Sequence, residues 1–393
     1  MRQSSVAIVS PSFYPMIGGV EAYVLGIGRE LAKLGHDVHV YTPNSVLGRK
    51  MELPAEEIDG IKVHRLSVPI DISYRLKIWP DLLGELMKSS LDIIHVYSHD
   101  SYAILALLAA KAIHVPIVLT TYGPFETHSD YGPLQGGLFR VYDAVVSPNL
   151  LRRCDLVMIR YPALNAWLRS MKLPDERIRL EPSGVPEECL QPRDGNGFRK
   201  RYDIEGPLIM YLGRLSEQKG VQHAVEAMKL ICERYPTAQL VLIGPDYTGI
   251  STAILARSRA LGIDNNLRLA PPMTTEESQM EALAACDVFI MPSSFEGFSQ
   301  AVMKAMAQGK PVVVTNVGGL PYEVGYGSCG ILCEYGDPEA LAYSIMKLIE
   351  NPALAEEMGN SGKARAQRFT FGKLAKNISD AYDGLTQGLI RWK

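Results

Sequence analysis

Residues 288–314 read VFIMPSSFEGFSQAVMKAMAQGKPVVV. An apolar run is followed by a polar loop, a stretch with apolar residues at helical spacing, a glycine stop and a β-branched run, so the segment reads strand, loop, helix, strand. Parallel neighbours need such a crossover helix, and the order matches a βαβ unit. With residues 299–308 as the helix, Ala301, Val302, Ala305 and Met306 form the buried side. Gln300, Lys304 and Gln308 then make a polar stripe at four-residue spacing. Glu296 precedes the helix, and at a helical rise Lys304 lies at most about 12 Å further along the axis. That is too far for a direct pair and well placed for two parts of one extended ligand.

The same grammar runs through the chain on both sides. Val6–Ser10 is a first strand, SFYPMIGG a loop, VEAYVLGIGRELAKLG a helix ending at Gly35, and DVHVYT the next strand. DIIHVYS, a helix and PIVLTTY repeat the unit. After PSGVPEECLQPRDGNG, rich in Pro, Gly and charge, it starts again with PLIMYL, GRLSEQKG, VQHAVEAMKLICERY and QLVLIG. The expectation is two α/β domains, 1–185 and 186–374, with an end helix over about 375–393 packing back on the first. Facing parallel sheets would leave a cleft at the carboxyl ends of their strands, where open α/β sheets bind ligands.

Composition agrees with this size. The 393 residues are 47% apolar, 21% charged and 8% aromatic, with a formal charge of −3, which gives no general drive toward nucleic acid. The apolar run in MRQSSVAIVSPSF is shorter than an export signal needs. Tyr102–Tyr122 is broken by Lys111, His114 and Pro116, so a helix and a strand fit better than a membrane span. The six scattered cysteines (154, 189, 232, 286, 329, 333) form no four-ligand metal set and read as buried free thiols. RLKIWPDLLGELMKSS, with Arg75 and Lys77 beside Trp79, Leu82, Leu83 and Leu86, is either a helix packed in the first domain or an amphipathic surface segment.

Four loops at strand ends bear on chemistry. Gly18-Gly19 precedes a helix, where backbone can approach an anion, without the GxGxxG spacing of a dinucleotide site. GRLSEQKG sets Arg214 and Lys219 on one short loop, a pairing that suits a diphosphate equally as well as it suits solvent. TNVGGLPYE offers Gly318-Gly319 as a further close approach. The fourth loop is the one opened by Glu296.

In this order the motifs resemble the retaining glycosyltransferases of family 4, which have the GT-B fold of two facing Rossmann-like domains. The similarity covers essentially the whole chain: GGVEAYVLGIGRELAKLGHDVHVYTP, PSGV, GRLSEQKG and CDVFIMPSSFEGFSQAVMKAMAQGKPVVVTNVGG. The front stretch looks especially like the branch that adds sugars to lipids such as phosphatidylinositol. The resemblance implies that Arg214 and Lys219 hold the donor's diphosphate in place of a metal ion, with Gly213 at the start of their loop. Glu296 matches a donor-sugar contact, Gly297, Phe298 and Ser299 bring amides to phosphate and sugar, Gly18, Gly19 and Gly318 line the donor, and Gly19 matches the loop that approaches both diphosphate and acceptor from the first domain. Glu21, His99, Tyr122 and His128 are the acceptor-side candidates.

The implied activity is a metal-independent, retaining transfer of a hexosyl-type sugar from a nucleotide-diphosphate sugar, UDP- or GDP-linked, to a lipid or glycan acceptor. No further cofactor, metal or nucleic acid is expected, and the implied location is cytoplasmic, with peripheral membrane contact left open. Two positions depart from the family. Its second signature glutamate falls at Lys304, whose ammonium has three donors and no acceptor, and many relatives carry histidine where Tyr122 stands. These departures keep a non-catalytic, nucleotide- or sugar-binding relative in view. A sugar-nucleotide epimerase on the same scaffold matches the loops less well.

Overall fold

The computed structural model describes residues 3–16, 18–46, 49–50, 55–71, 77–124 and 133–388. The chain divides into two compact units: Met1–Ser183 with Phe371–Lys393, and Gly184–Thr370.

The first unit is built on an eight-stranded sheet. Its strands are β1 Ser5–Val9, β2 Asp37–Pro43, β3 Ala55–Ile58, β4 Ile61–Leu66, β5 Ile93–Tyr97, β6 Ile117–Thr121, β7 Leu156–Ile159 and β8 Ile178–Leu180. They lie in the order β8-β7-β6-β5-β1-β2-β4-β3. All neighbours are parallel except β3, which pairs antiparallel with β4. Val6 lies between Val38 and Ile93 in register. The apolar run LVMI, and IIHVY with its one histidine, are buried along their length, as strands covered on both faces require.

Helix α1, Gly19–Lys33, turns Tyr23, Val24, Ile27 and Leu31 inward. It stops because Gly35, at φ +93°, closes a Schellman turn: its N–H donates to Ala32 O and that of His36 donates to Leu31 O. Helix α2, Ser101–Ile113, follows β5. The C-terminal helix Phe371–Thr386 packs on α1 within this unit. Gly26 makes room for it, since a Cβ there would meet the Phe371 ring at 2.3 Å. His36 Nε2 lies 2.8 Å from Ser379 Oγ, and His95 Nδ1 2.7 Å from Tyr382 OH.

The second unit has six parallel strands: β9 Leu208–Leu212, β10 Gln239–Ile243, β11 Leu267–Ala270, β12 Val288–Met291, β13 Val312–Thr315 and β14 Ile331–Cys333. Their order is β11-β10-β9-β12-β13-β14. Helices α3 Val221–Arg234, α4 Glu276–Ala285 and α5 Gln300–Ala307 follow β9, β11 and β12. Ser299 caps α5 by accepting from Val302 N–H, and Gly309 at φ +69° ends it.

Some local expectations change. Ala301 is only half-buried, whereas Lys304 is 5% exposed, so the polar stripe of α5 does not face open solvent. Its members are tied to neighbours: Gln308 Nε2 donates to Cys189 O at 2.6 Å, and Lys304 reaches α4. All six thiols are free, but Cys232 is half-buried rather than buried. In RLKIWPDLLGELMKSS, Trp79, Leu82 and Leu86 are fully buried, which is the packed-helix alternative; Arg75 lies outside the described residues. No described helix is long and apolar enough to cross a membrane.

Candidate functional site

In the second unit, glycines stitch the strand-end loops together. Gly213 follows β9 and donates to Ile243 O at 2.9 Å. Gly244, at φ +148°, presses on it so closely that a Cβ would lie 1.9 Å from Gly213 O. Gly220 sits at φ +67°, where a Cβ would be 1.8 Å from Pro292 O. Ser294 N–H donates to Gln218 O at 2.8 Å, so the loops after β9 and β12 share a backbone bond. Gly318, at φ +55°, leaves no room either: a Cβ would stand 2.0 Å from Glu296 O, to which Gly319 N–H donates at 2.8 Å.

This stitching brings two of the sequence candidates into contact. Lys219 Nζ lies 2.5 Å from Glu296 Oε1, with side chains 15% and 12% exposed. Ser293 Oγ donates to the same oxygen at 3.3 Å. Arg214 is exposed on the same loop, its carbonyl accepting from Tyr211 OH at 2.7 Å. Burial, with Glu296 adding to it, pushes the Tyr211 phenol well up. Gly297 and Phe298 are half-buried, and Phe298 meets Phe369 edge-on at 6.0 Å. A fixed cation, an exposed cation and a carboxylate at one sheet edge can hold a diphosphate and touch a group beside it.

Lys304 is used differently from the opening expectation. Its ammonium lies 2.8 Å from Glu276 Oε1, 2.7 Å from Oε2 and 2.8 Å from Gln279 Oε1. Glu323 is a buried acid beside this loop that sequence reading passed over. It is fully buried beneath the start of α5, and one oxygen accepts from Ser299 N–H at 2.8 Å. Its other oxygen has no partner among the described residues, and burial holds the carboxyl well above its ordinary range.

In the first unit the acceptor-side candidates separate. Glu21 is buried and accepts from Ser12 Oγ beneath the Gly18 turn, where a Gly18 Cβ would sit 2.3 Å from Glu21 Oε2. Glu21 therefore pins the loop. Beside Gly19 a Cβ would meet nothing within 4 Å, leaving open space next to its backbone. His99 is buried, with Nδ1 3.1 Å from Thr121 Oγ1 and Nε2 3.5 Å from Asp143 Oδ1. Its ring also packs on Trp167. Asp143 and Trp167 line a cavity of about 390 Å³ with Arg140, Arg152 and Lys172. His128 lies outside the described residues.

Tyr122 joins a cluster that the motifs did not announce. Arg160, 1% exposed, stands 3.8 Å from the Tyr23 ring centroid and 5.2 Å from that of Tyr122. It donates to Tyr122 OH at 3.3 Å and to Glu181 O at 3.1 Å. Both Glu181 carboxyl oxygens, Arg160 Nε and Tyr97 OH have no hydrogen-bond partner among the described residues. Burial pushes the Glu181 carboxyl up to about 8 against the pull of Arg160. The available signal for Arg160 was a charged residue directly after an apolar strand, LVMI; Glu181 follows IRL, a strand that already carries a charge.

Two family models match the chain in tandem. One describes glycosyltransferase family 4, over residues 17–188, and the other glycosyl transferases group 1, over residues 197–365. With the paired parallel-sheet units and the stitched loops, these define a glycosyltransferase of the GT-B class. The chain carries a glycosyltransferase family 4 domain followed by a group 1 glycosyl transferase domain.

Its relatives span nearly its full length. N-acetyl-alpha-D-glucosaminyl L-malate synthase of Bacillus anthracis is 25% identical over 375 residues, covering 94% of each chain. D-inositol 3-phosphate glycosyltransferase of Acidothermus cellulolyticus is 27% identical over 402 residues, covering 93% of this chain and 85% of the relative. Among solved structures, sucrose-phosphate synthase from Thermosynechococcus elongatus superposes with a TM-score of 0.80 at 22% identity, covering 98% of this chain and all of that one. The Anabaena protein HepE in complex with UDP and glucose gives a TM-score of 0.77 at 19% identity, covering 98% of this chain and all of HepE.

Proposed function

We propose that the protein transfers a hexosyl-type sugar from a UDP- or GDP-sugar to a lipid or glycan acceptor, with retention of anomeric configuration and without a metal ion. The observation that carries this reading is the Lys219–Glu296 contact on glycine-pinned loops, with Arg214 exposed beside it. As the bond from the anomeric carbon to the diphosphate breaks, charge builds on the leaving phosphate. Preorganised cations then stabilise it without reorganisation, the kind of contribution that dominates many such reactions. The acceptor oxygen bonds to the same carbon, and its proton passes to the departing phosphate oxygen. Glu296, fixed by Lys219 and Ser293, is positioned to hold sugar hydroxyls.

On the acceptor side, the open space beside Gly19 and the cavity bearing Arg140, Arg152 and Lys172 favour an acceptor with anionic groups. The HepE complex with UDP and glucose and the D-inositol 3-phosphate glycosyltransferase support a nucleotide-sugar donor and a polar acceptor by likeness. The reaction is assigned to the cytoplasm, with peripheral membrane contact reserved for a lipid acceptor.

A thermal-shift screen against UDP, GDP, ADP and their sugar conjugates tests the donor. Stabilisation by none of them would remove the reading. A nucleotide-binding, non-catalytic relative is the second reading, favoured by the engaged ammonium at Lys304. Turnover of the stabilising sugar nucleotide in the presence of acceptor separates the two, and the anomeric coupling constant of the product reports retention.

A further inference from the structure

We infer that Glu276, held in place by Lys304, is the carboxylate that receives the ribose hydroxyls of the nucleotide, with Lys304 acting as its positioning residue. This rests on the reading that the second unit binds a nucleotide.

A ribose diol offers two hydroxyl donors, so its partner must accept. The ammonium of Lys304 cannot accept and has only three hydrogens to give. Its three close oxygens are Glu276 Oε1 at 2.8 Å, Glu276 Oε2 at 2.7 Å and Gln279 Oε1 at 2.8 Å, so its donors are taken. The Lys304 side chain is 6% exposed and that of Glu276 46%, so the acid is the member of the pair that the surface presents. An ionised carboxylate has about four lone-pair sites. Lys304 occupies some of them and Cys189 Sγ approaches Oε2 at 3.5 Å, which leaves capacity on the exposed side.

The position of Glu276 suits that role. It opens α4, which follows β11, and so lies at the carboxyl edge of the sheet that also carries Lys219 and Glu296. Thr275 caps α4 by accepting from Ser278 N–H at 3.2 Å, and Gln279 Nε2 donates to Met273 O at 2.8 Å. The loop that presents the carboxylate is therefore fixed at both ends. Glu296 stands in the loop that leads into α5 and Lys304 on that helix, so the bridge to Glu276 and the Lys219–Glu296 contact share one strand-to-helix passage.

Calorimetry with UDP, 2′-deoxy-UDP, GDP and 2′-deoxy-GDP tests this on wild type, Glu276→Ala, Lys304→Met and Lys304→Arg. The wild type is expected to prefer the ribonucleotide by about tenfold or more, the ratio that a lost hydrogen bond to a charged group produces. Glu276→Ala should bring that preference close to unity while inorganic pyrophosphate binds as before. Lys304→Met should weaken the preference, and Lys304→Arg should restore most of it. A fold defect alone would lower both nucleotides together and leave their ratio unchanged. An undiminished preference in Glu276→Ala, or none in the wild type, overturns the assignment. A wild type that binds neither UDP nor GDP overturns the nucleotide reading, and this assignment with it.

Discussion

Lys219 Nζ lies 2.5 Å from Glu296 Oε1 across 77 residues of sequence, and neither side chain is more than 15% exposed. A half-buried ion pair of this kind fixes two side chains that an extended ligand can share. Lys219→Ala should therefore raise the dissociation constant of the bound nucleoside diphosphate by about 10- to 100-fold, with the circular dichroism spectrum unchanged. Titration calorimetry measures it, and unaltered affinity would place the diphosphate elsewhere.

Glu296→Gln keeps the shape and removes the charge. Nucleotide affinity should stay within a few-fold of wild type while sugar transfer falls by about 10² or more, the scale of a lost transition-state contact. Steady-state transfer assays decide this, and an equal loss of binding and transfer would make Glu296 a structural partner of Lys219 alone.

Gly318 is in the left-handed region at φ +55°, with Glu296 O 2.0 Å from where a Cβ would be. Gly318→Ala must push the two loops apart as well as strain its own backbone. The cost should be about 1–3 kcal/mol, read as a drop of several degrees in melting temperature. A melting temperature within a degree of wild type would mean that the loops separate freely.

Glu181 makes stability depend on pH with a definite sign. Its folded value is raised to about 8, so the folded state holds the proton more tightly than the unfolded chain. Stability from this group is complete below its unfolded range and is lost as pH rises toward 8 and through it. Glu181→Gln should flatten the decline of unfolding free energy between pH 5 and pH 8, measured by denaturant unfolding, by an amount on the order of a few kcal/mol. His95, lowered to about 3 by burial, has the opposite slope: its contribution is lost as pH falls below the ordinary histidine range. An identical pH profile for wild type and Glu181→Gln would contradict the burial of an unpaired carboxyl.

Gly26 is the point where the C-terminal helix meets α1, with Phe371 2.3 Å from a Cβ placed there. Gly26→Leu should loosen Phe371–Thr386 and make it the first site cut in limited proteolysis. Protection equal to wild type would show that the ring swings away without undocking the helix.

The βαβ grammar was legible because buried parallel strands need continuous apolar runs, and VFIM, LIMYL and VVVT carry them without tertiary help. The cations of GRLSEQKG and the glutamate of SFEGFS were legible for a related reason. Each stands in a short loop between a strand and a helix, and such loops lie at the sheet edge. The partner of Lys304 was not legible. Spacing along a helix gives the face that a residue occupies but not what packs against that face, and α4, which supplies Glu276, lies 28 residues upstream. Arg160 and Glu181 were hidden likewise, since a charge at a strand end looks the same whether solvent or three tyrosine rings will surround it.

The sequence by itself determined the alternation of strands and helices and the loops that carry charge, because these follow from local periodicity and turn chemistry, and the order of those loops carried the resemblance to the family. Only the tertiary structure decided which charges meet. Lys219 with Glu296 and Lys304 with Glu276 are contacts between segments distant in the chain, and their distances depend on how sheets and helices pack. For the stretch at 288–314, the sequence set a glutamate and a lysine on one strand-to-helix passage. Packing gave the glutamate to Lys219 and turned the lysine toward a different acid.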